Sequence, residues 1–214
     1  MSRIFLLLSD PVVAARTRTL IDRTPGLQTV GWVATLEQAR VQIPPAQADL
    51  VIADLLLADG PFAGLLDALC HTPRYGRPKS LVLTVSPDHP HLFAALRHGA
   101  DSFMVTGRPA ESLIEAVRQV LRGEAALSPG VARRIEPYFA PRPDGQDAVG
   151  DAMNPLSLSG VERRVLEAIG EAYAEEDIQR ALCLTAADLG RHVRAIYRKL
   201  QFDQQAGAFS LKAA

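Results

Sequence analysis

The fold turns on Leu50-Val51-Ile52-Ala53-Asp54. Four apolar side chains in a row, too few for an ordinary helix, end in a carboxylate. A short strand without polar alternation is covered on both faces, and such strands belong to parallel sheets flanked by helices. Ile4 to Leu8, Thr29 to Ala34, Leu81 to Thr84 and Ser102 to Val105 read the same way. Helical patterns lie between and after them: Val12 to Asp22, Leu36 to Gln42, Leu65 to Cys70, His91 to His98 and Ala110 to Leu121. In the last, Leu113, Ile114, Val117, Val120 and Leu121 form one apolar stripe behind Pro109. The series of strand–helix units predicts an α/β domain, a doubly wound five-stranded parallel sheet with its function at the carboxyl ends of the strands.

The chain has 214 residues, 48% of them apolar, which supplies one large core or two small ones. A net charge of −1 means that any nucleic-acid surface must be local. Cys70 and Cys183 lie far apart with no metal-ligand spacing around them, as in a reducing compartment. His89, His91 and His98 also lack ligand spacing, so neither a metal nor a cofactor is expected. No apolar run reaches membrane-spanning length, and the expectation is a soluble, cytoplasmic protein.

From Glu136 to Pro155 the sequence carries four prolines and two glycines, the composition of a linker. The predicted division is therefore 1–135, a linker over 136–155, and 156–214. The last segment is helical throughout. Val165, Leu166 and Ile169 share one helix, Ile178, Ala181 and Leu182 the next, and Leu189, Val193, Ile196, Tyr197 and Leu200 a third beginning at Thr185. Thr185-Ala186-Ala187-Asp188 is a capping box. Two short helices joined at Cys183-Leu184 have helix-turn-helix proportions.

This order of parts resembles NarL/FixJ-type response regulators, which carry a flavodoxin-like receiver domain and then a LuxR-type helix-turn-helix. Local matches are Leu83-Thr84, the segment Leu96 to Phe103 (LRHGADSF), Leu158-Ser159 with Val165-Leu166, and Ile196-Tyr197-Arg198-Lys199-Leu200. The resemblance covers nearly the whole chain. It implies a two-component system, a non-enzymatic DNA-binding transcriptional regulator, and a sensor kinase or another regulatory protein as partner. It also puts the phosphoacceptor at Asp54 and the switch pair at Thr84 and Phe103.

Three further receiver positions depart from the pattern. The acidic pair that would hold Mg²⁺ falls on Leu8 and Ser9, with Asp10 one residue late, and Thr106 replaces the lysine that would neutralise phosphoryl charge. Phosphotransfer to Asp54 is therefore not expected, and the receiver reads as degenerate, a pseudo-receiver. Asp10, just ahead of Pro11, reads as a helix cap, and Asp59 and Asp88 as solvated loop residues.

In the helical half the resemblance places the third helix in the DNA major groove. Arg191 and Arg194 are the candidates for base or phosphate contacts, with His192 on the outward face and Arg198 and Lys199 as backbone anchors. Gly190 stands where the family has an early lysine, and Glu175-Glu176-Asp177 opens the preceding helix. From Asp151 onward eight basic residues face nine acidic ones, so positive charge must gather on one face. The expected function is regulation of transcription as a homodimer on DNA, without Mg²⁺-dependent phosphorylation. The alternative is an adaptor that binds another protein and no DNA.

Overall fold

The computed structural model describes residues 1–70, 77–107, 109–140 and 157–212. The chain divides into two compact units, Met1–Gly123 and Glu124–Ala214. The break falls ahead of the boundary expected at residue 135. The difference arises because α6 (Pro129–Ile135) packs on α7 (Gly160–Gly170) and so belongs to the second unit. Of the expected linker, Glu136–Phe139 is a 3₁₀ turn, and 141–155 lie outside the described residues.

The first unit contains a five-stranded parallel sheet in the order β2-β1-β3-β6-β7: Leu27–Val33, Ser2–Leu7, Leu50–Asp54, Lys79–Thr84 and Ser102–Val105. This is the doubly wound order, in which the direction of strand addition reverses between β1 and β3 while every strand stays parallel. On one face Ile4, Leu6, Leu8, Ile52 and Leu81 pack with Ala14 and Ile21 of α1 (Pro11–Asp22). Leu113, Val117 and Val120 of α5 (Ala110–Arg122) complete that core. Phe5, Leu7, Val51 and Ala53 alternate to the other face and are equally buried. Each such side chain contributes about 1.5–3 kcal/mol of burial, which is why the central stretches Ile4–Leu7 and Leu50–Ala53 carry no polar residue. Phe5 imposes one local rule. Its ring lies over Gly31, where an added Cβ would collide with Cε2, and the β1–β2 register shifts at the same place, between Ile4 and Phe5.

Helix α2 runs over Leu36–Ala46, past the Gln42 end expected from its pattern and through Pro44 and Pro45. The last carbonyls of a helix have no amide partner within it and need other donors. Arg3 helps at this end, its NH2 donating to Ala46 O at 2.8 Å and its Nε to Gln47 O at 3.1 Å. The other helices of the unit are α3 (Ala63–Cys70) and α4 (Pro90–Arg97). A feature absent from the sequence reading follows Asp54: β4 (Leu56–Leu57) and β5 (Gly60–Pro61) form a small antiparallel hairpin.

In the second unit α7, α8 (Glu175–Leu182) and α9 (Ala186–Lys212) bury Val165, Leu166, Ile169, Ile178, Leu189, Val193, Ile196 and Leu200. Cys183 turns the chain between α8 and α9 in the left-handed region, φ 54°, giving a helix-turn-helix. Ser159 and Glu162 form a full capping box on α7. Among the described residues, no helix is long and apolar enough to cross a membrane.

Candidate functional site

The carboxyl ends of β1, β3 and β6 bring Ser9, Asp54 and Thr84 to one edge of the sheet. Asp54 is half-buried, and its Oδ2 accepts the Ser9 main-chain N–H at 2.8 Å. Leu8 is wholly buried in the core, so this turn offers an amide where the family would place acidic side chains. Asp10 is the N-cap of α1, its Oδ1 accepting from Val12 N at 2.7 Å and Val13 N at 3.2 Å. Pro11 at the first helical position gives up no needed hydrogen bond.

The Thr84 hydroxyl donates to Ser86 O at 2.8 Å and accepts from Ser86 N at 3.3 Å, a closed local turn. Phe103 is buried, and Thr106 is exposed with its N–H donating to Thr84 O. Asp59 lies exposed in a turn, as the sequence suggested, and also has a structural role. Its carboxylate accepts Leu36 N at 2.9 Å and Glu37 N at 3.0 Å, tying the β4–β5 hairpin to the start of α2. Those amides, Leu36 foremost, hold Asp59 below the usual carboxylate range. No sequence pattern announces a cap supplied from that far along the chain. Among the described residues no three His, Cys, Asp or Glu side chains gather to hold a metal.

In the second unit, α9 begins with the Thr185–Asp188 box: Asp188 N donates to Thr185 Oγ1 at 3.1 Å, and Thr185 Oγ1 donates to Asp188 Oδ2 at 2.6 Å. The Thr185 hydroxyl, and next the Arg191 guanidinium paired with Asp188, pull that carboxyl down to about 2. Arg191 and Arg198 are exposed, His192 is half-buried, and Arg194 is only 8% exposed. Lys199 is turned inward, its Nζ donating to Glu162 Oε2 at 2.6 Å and Ser157 O at 2.8 Å. The five basic residues singled out on α9 therefore do not form one open surface. Arg191 and Arg198 face solvent, while Lys199 joins α9 to the start of α7. The spacing Ser159-x-x-Glu162 announced the α7 cap, but nothing in the sequence tied Lys199 to it.

No protein-family model matches the chain. Curated relatives match nearly end to end. The oxygen regulatory protein NreC of Staphylococcus carnosus is 27% identical over 198 residues, 91% of this chain and 90% of the relative. The nitrate/nitrite response regulator protein NarL of Escherichia coli K12 is 26% identical over 204 residues, 95% and 91% of the two chains. Among solved structures, the RcsB response regulator of Salmonella typhimurium shares the fold with a TM-score of 0.53 at 19% identity, covering 94% of this chain and 93% of that one. The chain is thus similar over nearly its whole length to proteins named as NreC and NarL, and it has the fold of a solved response regulator.

Proposed function

We propose that the protein is a DNA-binding transcriptional regulator of the response-regulator type, acting in the cytoplasm as a homodimer. The observation that carries the reading is the helix-turn-helix of α8 and α9 in a chain that matches response regulators end to end. Arg191 and Arg198 supply exposed guanidinium groups for phosphates or guanine edges. Footprinting on genomic DNA tests it. Discrete protected sites are expected, and an Arg191→Ala/Arg198→Ala variant should bind them about tenfold or more weakly, since each contact is worth roughly 1–3 kcal/mol. No protected sites at low salt would support the adaptor reading instead. That second reading draws on the exposed Glu175, Glu176 and Asp177 at the start of α8.

The receiver unit works in this reading without Mg²⁺-dependent phosphorylation. The fold family implies Mg²⁺ beside Asp54, and the residues do not fit it. Mg²⁺ wants several oxygen ligands in near-octahedral order. Here Leu8 is apolar and buried, the Asp10 carboxylate caps α1, and one Asp54 oxygen is taken by Ser9 N. With Thr106 where an ammonium would stand, charge developing on a phosphoryl group has little to offset it. Acetyl phosphate with Mg²⁺ is accordingly expected to leave the protein unlabelled, as judged by intact mass. Stoichiometric labelling that disappears in Asp54→Asn would defeat this part of the reading. The input then comes from a protein partner, a sensor kinase or another regulator, that docks without transferring phosphate.

A further inference from the structure

Helices α7 and α8 leave a groove of about 360 Å³ between them, within the size range of binding pockets. On α7 its lining recurs at Arg164, Glu167, Ala168 and Glu171, one helix face over about 10 Å. On α8 Ile178, Ala181 and Leu182 supply an apolar wall. Tyr173 stands in the turn between the helices and lines the groove, with 59% of its surface exposed. Its backbone is fixed against the end of α7. Ala172 takes the left-handed conformation, φ 64°, its N–H donating to Ile169 O at 2.9 Å, and Tyr173 N donates to Ala168 O at 3.1 Å. These are the two bonds of a Schellman ending.

The charge around the groove is one-sided. Glu167, Glu171 and Asp177 line it against Arg164 alone. Asp177 pairs with Arg180 at 2.9 Å, while Glu167 and Glu171 are exposed and make no ion pair among the described residues. Such a surface repels phosphates, so it is no second DNA contact. Among the described residues none from α9 lines it.

We infer that this groove docks a basic amphipathic helix of a protein partner. Apolar residues at every third or fourth position of that helix fill the floor beside Ala168 and Ile178. Its Lys or Arg side chains meet Glu167 and Glu171, and the Tyr173 ring offers a further face to a cation. A helix suits the site because the lining is itself periodic along α7, and helix-in-groove recognition reads anchors at that spacing. The inference does not depend on DNA binding, which falls to the exposed Arg191 and Arg198 of a different helix.

The test uses the full chain and a displayed library of random peptides, each about 16 residues or roughly four helical turns. Anisotropy then measures the enriched peptides on Glu167→Lys/Glu171→Lys and on Tyr173→Ala. All three positions are exposed, and circular dichroism melts check that the fold is kept. The enriched peptides are expected to be net positive, with apolar residues at i and i+4. They should bind about tenfold or more weakly to the charge reversal and about fivefold or more weakly to Tyr173→Ala. Acidic peptides, affinities that neither variant changes, or no enrichment at all would overturn the docking site. Self-association that the charge reversal abolishes, with no peptide enriched, makes the occupant a second copy and overturns it too. If neither the wild type nor Tyr173→Ala protects any DNA site, the DNA reading fails while charge-sensitive peptide binding still upholds the groove.

Discussion

Replacing Asp101 by alanine is expected to cost the first unit about 3–4 kcal/mol, a large part of the stability of a small domain. Asp101 is buried just ahead of β7 and collects donors from the strand beside it. Its Oδ2 accepts Arg77 NH2 at 2.6 Å, Ser80 N at 2.9 Å and Ser80 Oγ at 3.1 Å, while its own N–H donates back to Ser80 Oγ. Truncation leaves the Ser80 amide and a largely buried guanidinium without that acceptor, and an orphaned buried donor costs more than the bond it loses. Asp101→Asn keeps one carbonyl oxygen for the Ser80 amide, so its cost should be only about 1–2 kcal/mol. Trp32, the single tryptophan, lies in β2 and reports on this unit alone, so urea unfolding followed by its fluorescence separates the two variants. Equal losses for alanine and asparagine would show that the charge, and not the acceptor geometry, sets the β6–β7 junction.

Glu162→Ala should cost the second unit about 2–3 kcal/mol, less than a fully buried ion pair because the Lys199 side chain keeps 22% exposure. Glu162 does two jobs. It closes the α7 capping box by accepting Ser159 N at 2.6 Å, and it holds the Lys199 ammonium that ties α9 to α7. Burial works against its charged form, yet Lys199 and the Ser159 N–H outweigh that and keep it below the usual value of 4.5. The sign follows from linkage. A carboxylate whose folded pKa is depressed stabilises above its unfolded value, and the stabilisation is lost as pH falls through the folded one. Below about pH 4 the wild-type second unit should therefore weaken relative to Glu162→Gln, which carries no charge to titrate. Helix amide exchange across α7 and α9 measures this directly. A stability difference that stays constant from neutral pH to pH 3 would sink the proposed role of the ion pair.

Much of the architecture was legible because it is written locally. The continuous apolar run at Leu50 to Ala53, the stripe in Leu113 to Leu121 and the Thr185–Asp188 spacing each fix an element without reference to distant residues. The β4–β5 hairpin was not legible, because its two-residue strands carry no period and its turn is set by Asp59 meeting the start of α2. The unit boundary was missed for a related reason. Pro129 to Ile135 is short enough to read as the receiver's end, and only its packing on α7 assigns it elsewhere.

What the sequence determined by itself is the order of strands and helices, the helix-turn-helix, and the residue types at the carboxyl edge of the sheet, including Leu8 and Ser9 in place of an acidic pair. What the tertiary structure decided is which polar groups are already taken. Asp54 is met by the Ser9 amide 45 residues away, Lys199 by Glu162 at a separation of 37, and Tyr197 by the Ala126 carbonyl across 71 residues. Periodicity comes from the geometry of one element, so a local pattern encodes it. The partner of a buried donor depends on which distant segments the fold brings within about 3 Å, and no local pattern carries that.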